Sequence, residues 1–381
     1  MKLGIQEIEH FEGVYPVIRL FDNGNNSIYL FVNQETADRL YDLFGTDANR
    51  YVWVIRLKSE STWSYCRRMI DIIKKDEISF LYLNTVSMHH VVYAWMLYRL
   101  PKLQTVLTVH DVNCLFHDKP GLSPKSIIKY IGKRMLSKRI NAFNTVSETV
   151  KPYLNSESGG SRTIFTVPGA VYEEKLPVTL IDDNIKIVIP GSIDRKRRNY
   201  EVVFELLTLT LDIPVQFILL GGGEDDYARS IWQRCSEIET KRIAWYETRI
   251  VDQEVFDMWM DSCHFVWVPS VVETSICDGI PEVYGITKSS GNIFDIIKHA
   301  KPFIVPRSLE IDPVMELSSF RYEKLTDIKD YLNNMISNKA AYHEKALAAA
   351  NVSGSFTIEA IRKKQYPLFE SGLDKISHNA V

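Results

Sequence analysis

Apolar positions along the first 170 residues fall into two alternating rhythms. Short runs at 14–20, 27–32, 51–56, 78–83, 104–109 and 141–146 are rich in Val, Ile, Leu and aromatic residues and read as strands. Between several of them, apolar residues spaced three and four apart predict helices at 35–44, 62–75, 88–98 and 126–137. This alternation predicts an α/β fold with a mostly parallel, doubly wound sheet. The stretch 171–184 is polar, contains Pro177 and Asp182-Asp183-Asn184, and reads as a linker. A second alternating series follows, with strands at 185–189, 215–220, 242–246, 265–268 and 303–305. Helices are expected at 200–207, 254–260, 292–300, 327–336, 340–350 and 358–365. In doubly wound sheets, ligands bind beyond the carboxyl ends of the strands, so the loops that follow strands are where to search.

In the second half, Ile185–Ile189 leads into Pro190-Gly191-Ser192-Ile193-Asp194-Arg195-Lys196-Arg197-Arg198. Four cations in a row repel one another unless they are solvated or face an anion. At a strand's carboxyl end they suit a diphosphate through charge-assisted hydrogen bonds. The strand at 215–220 ends in Gly221-Gly222-Gly223, which lets backbone approach a ligand closely. No third spaced glycine follows, so this is not a dinucleotide fingerprint. After the strand at 265–268 come Pro269-Ser270 and Glu273. A polar loop containing Lys288-Ser289-Ser290-Gly291 then opens a helix at Asn292. A helix start offers unpaired backbone N–H groups and the positive end of its dipole. Ile293, Ile296, Ile297 and Ala300 share one face of this helix, and Asp295 lies opposite.

In the first half, the strand-end loops carry His89-His90, His110-Asp111 and Ser147-Glu148, with Val167-Pro168-Gly169 later. His89 and His90 are adjacent, so only one of them faces a given side of a helix. Asp111 also fits as a cap for the next segment.

Taken together, Thr108-Val109-His110-Asp111, Thr145-Val146-Ser147-Glu148 and Val167-Pro168-Gly169, a series in the right order, with Pro269-Ser270-Val271-Val272-Glu273 and the segment from Asp295 to Pro302, resemble retaining GT-B glycosyltransferases of family 4. The resemblance covers most of residues 78–310. It departs from the family in four places. Asp295 replaces a Glu, and the loop between the two acids is longer. Ala300-Lys301 replaces a Gly before Pro302. Ser192 stands where the family has Arg, while its Lys falls at Arg197.

The resemblance implies two Rossmann-like domains facing each other across a cleft, an acceptor-binding domain at 1–175 and a nucleotide-sugar domain at 180–355. It also implies a C-terminal helix, 356–381, that crosses back to the first domain. The implied reaction moves a sugar from a nucleoside-diphosphate sugar to a glycan or lipid-linked acceptor, with retention and without metal or other cofactor. Arg195, Lys196 and Arg197 would neutralise the diphosphate, supported by Gly222, Gly223, Lys288, Ser290, Gly291 and Asn292. Asp295 would accept from the ribose, Glu273 would contact the sugar, and His110, Asp111 and His89 would serve the first domain. Two alternatives stay open: a catalytically silent GT-B protein that binds a sugar nucleotide or a partner enzyme, and a GT-B-fold sugar-nucleotide epimerase.

Composition narrows the partners. The formal charge of −3 does not describe a nucleic-acid binder by bulk charge. Five scattered cysteines without a CxxC pair fit a reducing compartment better than a zinc site or disulfide framework. Charges at Lys2, Glu7, Glu9 and Glu12 leave no signal-peptide core, so the expected location is the cytoplasm. The helix at 124–139 pairs Ile127, Ile128, Ile131 and Met135 with Lys125, Lys129, Lys133 and Arg139. Such a helix is either the solvated outer layer of the first domain or a peripheral contact with the inner face of the membrane.

Overall fold

The structure is a computed structural model; it describes residues 1–173, 178–181, 184–277, 279–371 and 373 of the chain. Parts of two expected segments lie outside the described residues: 174–177 and 182–183 of the linker, and 372 and 374–381 of the C-terminal stretch. Backbone contacts divide the chain into two compact units. The first comprises residues 1–169, 287–289 and those from Ile358 on; the second comprises 170–286 and 290–357.

The first unit is built on strands β1 (Lys2–Glu7), β2 (Ser27–Asn33), β3 (Val52–Arg56), β4 (Phe80–Leu83), β5 (Gln104–Thr108), β6 (Ala142–Thr145) and β7 (Ile164–Thr166). Its helices are α1 (Phe11–Phe21), α2 (Gln34–Phe44), α3 (Thr62–Lys75), α4 (His90–Tyr98), α5 (Val112–Phe116), α6 (Pro124–Arg139) and α7 (Lys151–Glu157). All seven strands run parallel in the order β3-β2-β1-β4-β5-β6-β7. The chain starts at the centre, winds out one way, then returns to the other side of β1. The switch point of this sheet therefore lies between β1 and β4.

Local sequence explains most of these elements. In α3, the Ser61 hydroxyl accepts from the Ser64 amide at 3.1 Å. Tyr65, Cys66, Met69, Ile70 and Ile73 then recur at helical spacing and are buried. The run at 14–20, expected as a strand, is instead the interior of α1. Val14, Val17, Ile18 and Phe21 sit at i, i+3, i+4 and i+7 and face the core, so the period is helical despite Pro16. The strand that pairs with β2 and β4 is β1, hidden in the sequence by Gln6 and Glu7. Both polar residues are fully buried, and each has a hydrogen-bond partner.

The second unit holds β8 (Ile185–Pro190), β9 (Val215–Leu220), β10 (Ile243–Trp245), β11 (Phe265–Trp267), a short antiparallel pair β12 (Glu273–Thr274) and β13 (Glu282–Val283), then β14 (Phe303–Pro306) and β15 (Ser319–Tyr322). Its helices are α8 (Glu201–Leu209), α9 (Asp226–Ser236), α10 (Gln253–Ser262), α11 (Asn292–His299), α12 (Leu325–Ser337) and α13 (Lys339–Gly354). The parallel sheet has the order β10-β9-β8-β11-β14-β15, so its switch point lies between β8 and β11. Trp267 and Phe265 of β11 are fully buried between the layers.

The last elements, α14 (Ile358–Lys364) and α15 (Leu368–Ser371), belong to the first unit. There the Arg362 guanidinium donates to the carbonyls of Arg19 at 2.8 Å, Leu20 at 2.9 Å and Asp22 at 2.7 Å, covering the open end of α1. Phe369 packs edge-on against Phe21, with ring centroids 4.9 Å apart. Cys66, Cys235 and Cys263 are free and buried, and burial pushes each thiol up to about 12, which makes them inert core residues.

Candidate functional site

Each unit gathers polar side chains at its own switch point. In the second unit, β8 ends at Pro190, and Gly191 turns with φ 88°. A Cβ at residue 191 would lie 2.1 Å from Arg198 Nη2, so only glycine fits both the turn and the guanidinium beside it. Arg198 Nη1 donates to the Ser192 carbonyl at 2.9 Å and Nη2 to Asn292 Oδ1 at 2.7 Å. Asn292 Nδ2 in turn donates to the Pro190 carbonyl at 2.9 Å. Asn292 thus ties the first residue of α11 to the end of β8, with Arg198 between them. Arg198 is only 8 % exposed, and its Nε finds no partner among the described residues.

The other three cations of the run behave differently. Arg195, Lys196 and Arg197 are exposed. Asp194 folds the turn back on itself: Oδ1 accepts from the Lys196 amide at 2.8 Å, and Oδ2 pairs with Arg197 Nε at 3.1 Å. That i, i+3 pair holds Arg197 on the solvent side, and Arg198 turns inward beside it. Sequence reasoning passed over Arg198 in a run of four cations. The available signal was Asp194, placed three residues before Arg197 to claim it.

The loop after β11 is zipped onto this turn. The Arg198 and Ser270 backbones form an antiparallel bridge, the Val271 amide donates to the Arg197 carbonyl at 3.0 Å, and Thr274 Oγ1 donates to the Lys196 carbonyl at 2.8 Å. Glu273 is exposed on β12, the strand next to this zipper. No side chain caps α11, whose N-cap is Gly291. Ser290 is buried. Asp295, in the first turn, is half-buried; burial raises its carboxyl to about 6, against the lowering pull of His299, Arg198, Lys298 and the Asn292 side chain.

The glycines after β9 serve the backbone. A Cβ at Gly222 would lie 2.2 Å from the Arg249 carbonyl oxygen, the Ile193 amide donates to the Gly222 carbonyl at 2.8 Å, and the Gly223 amide donates to the Thr248 carbonyl at 3.0 Å. Gly222 and Gly223 therefore fasten neighbouring loops together. Lys288 groups with the first unit, where it pairs with Asp111 by side chain and by a backbone bridge.

In the first unit, Glu7 closes β1 and is fully buried. Its carboxyl accepts from the Glu9 amide at 2.6 Å, the His10 amide at 3.1 Å and Asn84 Nδ2 at 2.7 Å. Burial raises its pKa even so, with those hydrogen bonds opposing. Asn84 follows β4, so this cluster sits on the β1/β4 switch point and orders the turn that leads into α1. Neither Glu7 nor Asn84 stood out in the sequence, because a buried strand acid has no local signature.

His110 follows β5. Thr85 Oγ1 lies 3.5 Å from its Nε2, and its ring also bonds the Asn84 carbonyl. Burial lowers His110 to about 4, helped by His10 and Lys288 and opposed by Asp111. His110 is therefore neutral at pH 7. In an NMR titration its ring protons should shift with a midpoint near pH 4; a midpoint near the ordinary histidine value would show that the ring is solvated. His89 stands exposed ahead of α4 with φ 56°, while His90 is buried and lowered to about 4 by burial first, then by Lys133 and Lys129.

No protein-family model matches the sequence. No curated protein matches it either. Solved structures do. The Anabaena protein HepE in complex with UDP and glucose is 12% identical, with a TM-score of 0.66 over 96% of this chain and 98% of that one. The lipopolysaccharide outer core galactosyltransferase WaaB in its apo form is 12% identical, with a TM-score of 0.60 over 95% and 97%. The UDP-GlcNAc 2-epimerase from Neisseria meningitidis bound to UDP-GlcNAc is 14% identical, with a TM-score of 0.57 over 95% and 100%. At such identities the likeness is one of fold. The chain has a GT-B-like fold of two Rossmann-like α/β domains with parallel sheets.

Proposed function

We propose that this protein is a glycosyltransferase whose second unit binds a nucleoside-diphosphate sugar. The observation that carries the reading is Arg198, a buried guanidinium at the β8/β11 switch point, beside the uncapped start of α11, with one N–H unpaired. A buried cationic donor without a partner costs free energy unless an anion meets it. A phosphate at that point would meet the charge of the Arg198 guanidinium and the positive end of the α11 dipole together. Solved structures that share the fold hold UDP, UDP-glucose or UDP-GlcNAc, which supports the same ligand class here.

In this reading the bond between the sugar's anomeric carbon and the diphosphate oxygen breaks. A new bond forms to the acceptor oxygen, and the acceptor's proton passes to the leaving diphosphate. Arg198 and the positive end of the α11 dipole stabilise the charge that develops on the leaving group. Asp295 accepts from ribose hydroxyls, and Glu273 meets the sugar. His110 and Asp111 are poor general bases: the first holds its proton too weakly at neutral pH, and the second is engaged by Lys288. That favours retention, in which no enzymatic base is required.

Calorimetry with UDP, GDP and ADP in the presence of a chelator tests donor binding; at least one should bind. Binding by none of the three, or only with added magnesium, sinks the reading. The anomeric configuration of a trapped product, read by NMR, should match that of the donor. The second reading, a sugar-nucleotide epimerase, draws support from the epimerase that covers 95% of this chain. Incubating the chain with UDP-sugars and no acceptor separates the two: an epimerised donor favours the epimerase, an unchanged one the transferase.

A further inference from the structure

The helix α6 is turned inside out. Lys133 is 2 % exposed, while Ile127, Ile128 and Ile131 are 41 %, 53 % and 46 % exposed. Leu122, just ahead of the helix, stands fully in solvent. The orientation is fixed from the inside. Lys133 Nζ donates to the Cys114 carbonyl and to Asp118 Oδ2, both at 2.6 Å. Gly132 presses on α4, where a Cβ would lie 2.5 Å from the Val91 amide nitrogen, and Leu136 is buried beside it. A buried ammonium is costly to desolvate even when paired, and exposed isoleucines forgo burial. Both choices run against the usual arrangement of a surface helix, in which the apolar stripe faces the core.

The outward stripe continues along the helix. Ile127, Ile131, Arg134 and Lys138 lie at i, i+4, i+7 and i+11, so the stripe passes from apolar to cationic. Arg134 and Lys138 are exposed, as are Lys119 and Lys125 near the apolar end. No Asp or Glu occurs between Lys119 and Ser147, although the whole chain carries a net charge of −3.

We propose that this outward face of α6, led by Leu122, docks on an anionic lipid bilayer. The apolar residues enter the interface between headgroups and acyl chains, and the surrounding cations meet lipid phosphates. Among the described residues no helix is long and apolar enough to cross a membrane, so the contact is peripheral. A second copy of the chain is a poorer occupant. A two-fold contact through this face would bring Lys119, Lys125, Arg134 and Lys138 of both copies into one interface, with no acid between residues 119 and 147 to answer them. The proposal is independent of the reaction assigned above.

Flotation with vesicles tests it. The full chain should float with phosphatidylglycerol-containing vesicles at low salt and much less with pure phosphatidylcholine. Raising the salt should release it. Ile127→Ser with Ile131→Ser should abolish flotation while leaving the circular dichroism melt unchanged, because both side chains are already exposed. Arg134→Glu and Lys138→Glu should each lower partitioning at least about fivefold, the equivalent of ~1 kcal/mol per lost cation near the surface. Lys133 is unsuitable for this test, because its charge is consumed inside. The proposal is overturned if the chain fails to float at any salt, or floats equally with the double isoleucine variant. It is also overturned if sedimentation shows a dimer that the isoleucine variant splits while lipid binding is absent.

Discussion

Arg198→Ala should weaken UDP binding about tenfold to a hundredfold, while Arg197→Ala leaves it within about twofold. The difference follows from where the two guanidiniums point. Arg197 is exposed and holds Asp194, an ion pair of the kind that contributes ~0–1 kcal/mol. Arg198 is buried between Gly191 and the first residue of α11, with an unpaired N–H. A hydrogen bond from such a cation to a diphosphate is worth about 1.5–3 kcal/mol, which converts to the stated loss. Uridine, which lacks the phosphates, should bind the variant as it binds the wild type.

Removing Arg198 also strips a donor from the Ser192 carbonyl and from Asn292 Oδ1, so the variant should melt earlier. Arg198→Lys controls for that effect. It keeps the charge but loses the planar fork, and should recover part of the UDP affinity. Calorimetry on the three variants decides the matter. Equal losses of UDP and uridine binding, or a larger loss at Arg197 than at Arg198, would mean that the guanidinium at the switch point does not face phosphate.

The contrast between neighbouring arginines also shows what the sequence made legible and what it hid. The sheets were readable because most strands are apolar runs between polar turns, and β4, with four buried residues in a row, is the plainest case. Helix α3 was readable because Ser61 caps it and its apolar spacing never breaks. The run at 14–20 was misread because seven residues are too few to separate a strand from a helix by period alone. Strand β1 was missed because Glu7 and Gln6 are kept buried by Asn84 and Tyr93, partners far along the chain.

Helix α6 showed its two faces in the sequence, but not which one would turn inward. That choice rests on Asp118, Cys114 and the close approach at Gly132, all tertiary. The loops that gather at each switch point were legible as places. Which side chain in each loop points inward was not, because it depends on a single ion pair or a single glycine.

Asp295→Asn should make the protein more stable and its donor site weaker at the same time. The carboxyl of Asp295 sits at about 6 in the folded chain against 3.8 for an ordinary solvated aspartate, chiefly through burial. The folded state therefore binds this proton more tightly than the unfolded state does. Between about pH 4 and pH 6 the folded chain carries the extra proton, so the carboxyl's contribution to stability falls as pH rises through that window. Above it the penalty is complete. A shift of two units corresponds to at most about 3 kcal/mol, and about 1–3 kcal/mol is expected once partial exposure is allowed for.

Replacing the carboxyl by an amide removes this term. The melting temperature of the variant at pH 8 should exceed that of the wild type by several degrees, roughly 2–4 °C per kcal/mol for a unit of this size. The gain should shrink on acidification and vanish near pH 4. In the donor site the same change removes a charged acceptor for ribose hydroxyls. Sugar-nucleotide affinity should drop about tenfold or more, while inorganic pyrophosphate binding stays as it was. In the wild type, donor affinity should decline as pH falls through about 6, the point at which Asp295 takes up its proton. Paired melting curves and calorimetry at pH 5 and pH 8 check both halves. A variant no more stable than the wild type at pH 8 would mean that the carboxyl is solvated or better paired than its burial implies. A stabilised variant with unchanged donor affinity would leave Asp295 as a strained core acid and remove it from the ribose site.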